Sequence, residues 1–306
     1  MITVEKLVYE YPNKRALNDI TFNIPNGSIT ALVGPNGSGK TTLLRCIAAL
    51  EQPFSGKITI NGTDISENPR RVHKDIGYLS DFFGLYDDLT VSQCLMFAAN
   101  LHQLPANKIK EQVGNVAALL ELGPYLDKNA GTLSRGWRQR LGIAQAIIHT
   151  PKLLLLDEPA SGLDPEARVT ISLLFRKLRE QGMTLIVSSH ILAELEDYCT
   201  DMLVLRDGNL LDHSLSAGNK KEHNIIEIIF LDPARAFISV LQGIAGVSSP
   251  VAEGRTIRLS FSGDEEGQSL ILKKLVDTGA RISSFTMRHS KLQDIYMSLS
   301  NERKNP

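Results

Sequence analysis

The sequence lacks the features that mark membrane-spanning or exported chains. None of its 306 residues lies in an apolar run of the about 18 to 20 residues that cross a bilayer. The first six residues, Met-Ile-Thr-Val-Glu-Lys, also lack the charged and then apolar pattern of a secretory signal. We therefore expect neither a membrane span nor an export leader.

Cysteine is scarce. The three cysteines, Cys46, Cys94 and Cys199, are far apart and never form a C-x-x-C pair. This spacing favours reduced core thiols in a cytosolic protein over a disulfide framework or a zinc site.

The chain also lacks an excess of either charge. Its 33 basic and 34 acidic residues give a net charge of −1, so it offers no basic field for nucleic acid, which we do not expect as a partner. A composition of 42% hydrophobic and 22% charged residues is ordinary for a globular protein. The length predicts about two domains.

Short apolar runs alternate with helical patterns over the first two thirds of the chain. Residues 29–33, 152–156 and 184–188 are such runs, which are typical of strands buried on both faces of a mostly parallel sheet. Helices are predicted at residues 41–50, 166–181 and 191–198. Residues 81–149 show almost no strand pattern and predict a helical insertion. The fold class is therefore α/β.

The last third of the chain predicts a second, small α+β domain over residues 224–306, after a polar linker at residues 214–223. Its predicted elements are strands at residues 224–231 and 256–261, a helix opened by Asp232-Pro233 and running to Gln242, a helix at residues 270–278, and a last helix opened by a capping box at Ser290 and Gln293.

A phosphate-binding loop follows the first buried strand. Residues 34–41 fit the pattern G-x-x-x-x-G-K-[ST], with the strand before it and a helix after it. In such a loop the backbone N–H groups surround the phosphates, the lysine contacts the β- and γ-phosphates, and the Thr41 hydroxyl suits Mg²⁺. The predicted ATP-binding residues here are Gly34, Pro35, Asn36, Gly37, Ser38, Gly39, Lys40, Thr41 and Thr42.

Two carboxylates, Asp157 and Glu158, end another buried strand. Open α/β sheets bind ligands at this edge, so Asp157 is a candidate Mg²⁺ ligand and Glu158 a candidate to orient or deprotonate an attacking water. Without the phosphate loop, such a pair is more typical of a protein surface.

Together with these motifs, the order of the segments below makes the chain resemble an ABC-type ATPase subunit over about residues 1–213. Residues 133–140, Leu-Ser-Arg-Gly-Trp-Arg-Gln-Arg, are similar to the L-S-G-G-Q-x-Q-R signature of that family. His190 resembles its switch histidine, and Tyr11 matches the aromatic position on which adenine stacks. The signature residues are Leu133, Ser134, Arg135, Gly136 and Trp137, and the segment similar to the D-loop comprises Ser161, Gly162, Leu163 and Asp164.

The resemblance implies a P-loop NTPase core with an N-terminal antiparallel β portion and the helical subdomain at residues 81–149. It implies that ATP and Mg²⁺ bind between one subunit's phosphate loop and the signature of a second copy or a sibling chain, with Lys40, Glu158 and His190 carrying out hydrolysis. It also implies separate integral membrane permease subunits, with this chain peripheral on the inner face of the cell membrane. The small tail domain resembles those of prokaryotic exporter-type subunits and favours export.

Three residues depart from the family pattern. Asp81 stands where the family has glutamine, and a carboxylate can hold Mg²⁺ or water but cannot donate as an amide does. Arg135 and Trp137 replace a glycine and a glutamine of the signature. The neighbouring Phe82 and Phe83 either contact a permease helix or pack the helical insertion.

Two other functions stay open. One is a soluble ABC-type ATPase that acts on ribosomes or DNA, although the chain shows neither paired cassettes nor a basic surface. The other is a non-catalytic nucleotide-binding regulator, against which the presence of Glu158 and His190 argues.

Overall fold

A computed structural model describes residues 1–215 and 224–289. The chain divides into two compact units, Met1–Ser216 and Ala217–Pro306. The predicted capping box at Ser290 and the helix after it lie outside the described residues, as does most of the predicted linker. Within the described ranges, no helix combines the length and the apolar character needed to span a membrane.

The first unit opens with an antiparallel sheet, as expected. Strand β1 pairs with β2 on one side and with β4 on the other, in the order β2-β1-β4-β5. Inward-facing β-branched and aromatic residues, such as Ile2, Val4 and Phe22, are buried between outward polar neighbours. The bounds are β1 Ile2–Tyr11, β2 Lys14–Ile24, β4 Ser55–Ile60 and β5 Thr63–Asp64.

A six-stranded, mostly parallel sheet forms the centre of this unit. Its order is β10-β9-β3-β8-β7-β6, and only the hairpin strand β10 runs antiparallel to its neighbour. Every residue of β3, β7 and β8 is buried, which confirms the three predicted apolar strands. The bounds are β3 Ile29–Val33, β6 Ile76–Leu79, β7 Leu153–Asp157, β8 Thr184–Ser189, β9 Asp201–Arg206 and β10 Asn209–Leu215.

Helices supply the other layers of the first unit. Residues 81–149 contain α3, α4 and α5 with two short 3₁₀ helices, Gly123–Tyr125 and Ala130–Thr132, so the insertion is helical. Of the helix predicted at residues 191–198, only Leu192–Leu195 forms a helix, α7. The bounds are α1 Lys40–Ile47, α2 Pro69–Val72, α3 Val91–Leu101, α4 Ala106–Leu119, α5 Arg135–Ile147, α6 Pro165–Glu180 and α7 Leu192–Leu195.

The second unit is a split βαβ fold of the ferredoxin-like type. Its described elements follow the order β-α-β-β-α-β, and its antiparallel sheet has the order β12-β13-β11-β14. Alternate residues of β11, namely Ile226, Ile228 and Phe230, are buried in its core. The bounds are β11 Asn224–Phe230, α8 Ile238–Gln242, β12 Val247–Glu253, β13 Thr256–Phe261, α9 Glu265–Asp277 and β14 Ile282–His289.

Two predicted helix starts in the second unit are wrong. No helix opens at Asp232, because its carboxylate accepts from the Arg281 guanidinium, with Nε 2.9 Å from Oδ2, and a 3₁₀ turn at Ala234–Phe237 precedes α8. Helix α9 begins five residues before the predicted Leu270. The Asp264 side chain caps it by accepting from the Gly267 N–H at 2.9 Å.

Candidate functional site: a phosphate loop beside two strand-end carboxylates

The loop between β3 and α1 has the backbone geometry of a phosphate cradle. Gly37 and Gly39 have φ of 79° and 107°, in the left-handed region that favours glycine. A Cβ at Gly34 would overlap the Leu205 carbonyl oxygen, so only glycine fits there. The Lys40 ammonium donates to the Gly34 carbonyl at 2.8 Å and thereby holds the loop closed over the start of α1.

An anion fits this cradle. The Ser38 hydroxyl is buried and has no hydrogen-bond partner among the described residues. A buried polar group without a partner costs about 1–3 kcal/mol, which a phosphate oxygen would remove. The N–H groups at the start of α1, which have no side-chain cap, also favour a bound anion. Thr41 is exposed in the first turn of this helix. Thr42 is buried behind it.

The Lys40 ammonium is paired with Glu158. Only 6% of the lysine side chain is exposed, and Nζ lies 3.6 Å from Glu158 Oε1. A buried ammonium requires such compensation because desolvation penalises the charged form. In this arrangement Glu158 supplies the compensating negative charge.

Ser188 links the Asp157 carboxylate to the backbone of Glu158. It lies opposite Asp157 in the parallel register of β7 and β8. Its hydroxyl donates to Asp157 Oδ1 at 2.6 Å and accepts from the Glu158 backbone N–H at 2.9 Å. Sequence reasoning did not identify Ser188 as a functional residue. The signal that could have found it is a hydroxyl at the end of an otherwise apolar strand.

Glu158 itself has a strained backbone. Its φ of 49° lies in the left-handed region, which costs a non-glycine residue about 1–2 kcal/mol. Such strain persists where surrounding contacts determine the conformation. Here the Ser188 hydroxyl holds the Glu158 N–H, and the Ser161 N–H donates to the Glu158 carbonyl at 3.1 Å.

The predicted switch histidine contacts the same carboxylate. His190 Nδ1 lies 2.8 Å from Glu158 Oε2, whereas Lys40 approaches Oε1. The imidazole is partly exposed at the carboxyl end of the sheet. The structure therefore brings the three predicted catalytic residues together on one carboxylate.

The predicted signature and D-loop begin two helices. Ser134 is the N-cap of α5, but its hydroxyl makes no capping bond. Asp164 is the N-cap of α6 and accepts from the Ala167 N–H at 2.8 Å. The Arg135 guanidinium donates to the Ser161 carbonyl at 2.8 Å and joins the two segments. Gly136 lies in the first turn of α5, and Leu163, which is buried, directly precedes the N-cap of α6.

Comparison with known proteins identifies this arrangement. The family described as ABC transporter matches residues 17–161. YcbN of Bacillus subtilis, an uncharacterized ABC transporter ATP-binding protein, is 32% identical over 98% of this chain and 97% of its own length. The chain belongs to the ABC transporter ATP-binding proteins. It is an ATPase of that family and binds ATP.

Other ABC relatives differ in what their names say they transport. The bacitracin transport protein BcrA of Bacillus licheniformis is 29% identical over 98% of this chain and 97% of its own length. The sulfate/thiosulfate import protein CysA of Mycobacterium bovis is 32% identical over 90% of this chain and 78% of its own length.

A solved ABC cassette shares the fold of the first unit. The dimeric ATP-binding cassette MJ0796, bound to ADP and phosphate, aligns with a TM-score of 0.65 at 24% identity. The alignment covers 72% of this chain and all of that cassette. The predicted P-loop α/β fold is thereby confirmed.

Asp81 stands where the ABC family has glutamine. It lines a cavity of about 500 Å³ together with Glu158, Arg135 and Ser161. Burial raises the pKa of Asp81, the carboxylates of Asp157 and Glu158 raise it further, and Arg135 partly offsets these effects. Among the residues that the structure describes, no group of three or more His, Cys, Asp or Glu side chains is arranged to hold a metal ion, so the role of Asp81 as a Mg²⁺ ligand stays a prediction.

The two aromatic residues after Asp81 behave differently. Phe82 is 93% exposed, as a contact for a partner requires. Phe83 packs its ring against Gly142 on α5, where a Cβ would overlap it. Phe83 therefore packs against the helical insertion, whereas contact of Phe82 with a permease helix stays a prediction.

Two further predicted ligand residues have aromatic surroundings. The Tyr11 hydroxyl lies 3.2 Å from Thr42 Oγ1, and its ring is 42% exposed with an edge against Tyr9. The ring is thus held beside the phosphate loop and open to solvent, as adenine stacking requires; that role stays a prediction. Trp137 packs on Tyr125, with the Arg140 guanidinium over its ring at 4.4 Å.

Proposed function

We propose that this chain is the ATP-hydrolysing subunit of an exporter, docked on separate integral membrane permease subunits at the inner face of the cell membrane. The observation that carries the hydrolytic part is the convergence of Lys40 and His190 on the two oxygens of Glu158. Export is favoured because the small second unit resembles the tail domains of prokaryotic exporter-type subunits, and the bacitracin transport relative aligns over 98% of the chain, that unit included.

The residues of the site divide the work of hydrolysis. When ATP enters the cradle, the Lys40 ammonium exchanges Glu158 for phosphate oxygens, and the released carboxylate accepts a proton from the attacking water. His190 keeps that carboxylate oriented through its second oxygen. Bound Mg²⁺ would neutralise phosphate charge, and the residues that would hold it are Thr41, Asp157 and Asp81.

The signature is half of a second site. Ser134 supplies a hydroxyl without a capping bond, and α5 supplies N–H donors, but neither a lysine nor a catalytic acid accompanies them. One chain has one phosphate loop and one signature. We therefore expect two chains, identical or sibling, to close around two ATP molecules and to part after hydrolysis.

The partner is tested by affinity capture with a hydrolysis-deficient variant. Tagged Glu158→Gln protein, which should keep nucleotide and stay dimeric, is recovered from detergent-solubilised membranes with ATP and Mg²⁺. Lys40→Met serves as the control that should not hold nucleotide. A polytopic membrane protein that co-purifies with Glu158→Gln but not with Lys40→Met supports the proposal, whereas ribosomal proteins in its place would contradict it.

The direction of transport is tested in cells. Intracellular compounds are compared between cells expressing the wild-type chain and cells expressing Glu158→Gln. Exporter function predicts compounds that accumulate in the Glu158→Gln cells. Compounds that are depleted there, and restored by wild-type protein, would instead indicate import.

A further inference from the structure

Arg135 makes a contact that its position in the signature does not require. It is the first residue of α5, directly after the N-cap Ser134. Its guanidinium Nη2 donates to the backbone carbonyl of Ser161 at 2.8 Å, 26 residues further along the same chain. A glycine at this position, as in the family signature, has no side chain to make the contact.

This contact leads to the catalytic glutamate through a short series of hydrogen bonds. The Ser161 N–H donates to the Glu158 carbonyl at 3.1 Å, which closes a four-residue turn that begins at the glutamate. At the other end, the Glu158 N–H donates to the Ser188 hydroxyl. Arg135 thus holds the last residue of a turn whose first residue is Glu158.

Gly162 makes room for the guanidinium. It has a φ of 66°, and a Cβ there would overlap the Arg135 guanidinium carbon. The left-handed backbone favours glycine, and a Cβ at this position would require the flexible Arg135 side chain to move its guanidinium away.

The guanidinium also lies among the carboxylates. Arg135 lines the same cavity as Asp81 and Glu158, and its positive charge counteracts the mutual repulsion of the acidic groups there. Arg135 therefore has two effects at this site: its hydrogen bond holds the Ser161 carbonyl, and its positive charge stabilises the ionised form of Asp81.

We infer that Arg135 is a positioning residue for ATP hydrolysis, which holds the Glu158–Ser161 turn and keeps the strained Glu158 backbone in its working conformation. The inference rests on the proposed role of Glu158 as the base. It also means that α5, which begins with the signature, is linked through Ser161 to the turn that starts at the base of its own subunit's site.

The test is steady-state ATP hydrolysis by the full chain. Arg135→Ala should lower kcat about 10-fold, because small misplacements of a catalytic group reduce rates by such factors, while KM changes less than about 2-fold. Arg135→Lys, which keeps one donor of similar reach, should recover kcat to within about 3-fold of wild type. The thermal unfolding midpoint of each variant shows that it is folded.

The matched control is Arg179→Ala. Arg179 donates in the same way to an exposed backbone carbonyl, that of Gly27 at 2.9 Å, but takes no part in the site. Its kcat should stay within about 2-fold of wild type, since loss of this one exposed hydrogen bond displaces no catalytic group.

Two results would overturn the inference while leaving ATP hydrolysis by Glu158 intact. One is a kcat for Arg135→Ala equal to that of wild type. The other is a raised KM with unchanged kcat, which would make Arg135 a nucleotide contact. A wild-type rate no higher than that of Glu158→Gln would instead contradict the role of Glu158, and the inference with it.

A double-mutant cycle gives a second, independent measure. Gly162→Ala in the wild-type background introduces both backbone strain and the overlap with Arg135, whereas in the Arg135→Ala background only the strain remains. The two losses in kcat should therefore be clearly less than additive. Additive losses would show that the two residues act separately and would overturn the inference.

Discussion

The two units of this protein differ in the polarity of the side chains that they bury. Among the side chains that the structure describes in the first unit, eleven polar or charged ones are buried, and six of these lie in the phosphate loop, at the start of α1 or at the carboxyl ends of β7 and β8. In the described part of the second unit, every buried side chain is apolar. The buried polar set is Ser28, Thr30, Ser38, Lys40, Thr42, Gln139, Asp157, Thr184, Ser188, Ser189 and Asp201.

This difference shows where the first unit gives up stability for function. Burying Lys40 and leaving the Ser38 hydroxyl without a partner both cost free energy, and neither is needed to form the α/β core. The second unit buries only apolar groups, so nothing in its described core points to chemistry of its own. If the comparison is right, function and stability can be removed separately by substitutions in the two units.

The largest expected effect is on the rate of hydrolysis by Glu158→Gln. The amide keeps the size of the side chain but cannot accept a proton, and loss of a general base typically costs about 10²–10⁴-fold in kcat. Nucleotide affinity should change little. The measurement is phosphate release beside equilibrium ATP binding, and a kcat within 10-fold of wild type would show that another group is the base.

The next largest effect is on the stability of the second unit in Leu259→Ala. This leucine on β13 is 2% exposed, and truncating such a residue costs about 2–5 kcal/mol. Unfolding followed by calorimetry should show a destabilised transition, while ATP binding by the first unit is unchanged. Leu155→Ala on β7 is the matched control, since it should weaken both stability and ATP binding. Weakened ATP binding by Leu259→Ala would break the comparison.

Lys40→Met should separate function from stability in the opposite direction. The methionine keeps much of the buried apolar stem but loses the charge, so ATP affinity should fall about 10- to 100-fold, as expected for a charge-assisted contact of about 1.5–3 kcal/mol. The unfolding free energy should fall less than in Leu259→Ala: the pairing and the bond to the Gly34 carbonyl are lost, but the desolvation of the ammonium is removed and Glu158 keeps His190 as a partner. A large loss of stability with unchanged affinity would contradict this division.

The smallest expected effect is a loss of stability of the first unit as the pH falls. Burial, and then the neighbouring His102 ring stacked at 3.6 Å, lower the pKa of His149 from 6.5 to about 4. The unfolded state therefore binds the extra proton first, so this contribution to stability is present above pH 6.5 and is lost as the pH falls towards 4. Partial exposure of the ring reduces the expected loss to about 1 kcal/mol.

This pH dependence should be confined to the first unit. In the second unit the Arg281 guanidinium lowers the pKa of Asp232 below 3.8, outside the window between pH 4 and 6.5. Calorimetry at several pH values follows both units, with His149→Asn as the non-titrating control. An equal slope in this control would show that His149 is not the group responsible.

Much of the first unit could be predicted because its signals are local. The buried strands are uninterrupted apolar runs, and the phosphate loop is a contiguous pattern whose glycines have a direct backbone reason. The helix starts of the second unit were predicted less well. The Asp232 carboxylate has two competing partners, and a side chain from residue 281 rather than the local backbone takes it.

By itself, the sequence determined the class of fold, the phosphate loop and the carboxylate pair after β7, since each depends on residues adjacent in the chain. Only the tertiary structure decided that Ser188 joins Asp157 to the Glu158 backbone, that Lys40 and His190 meet on Glu158, and that Arg135 holds Ser161. The reason is physical: these contacts join residues 26 to 118 positions apart, and only strand register and loop geometry bring them within hydrogen-bond or ion-pair distance.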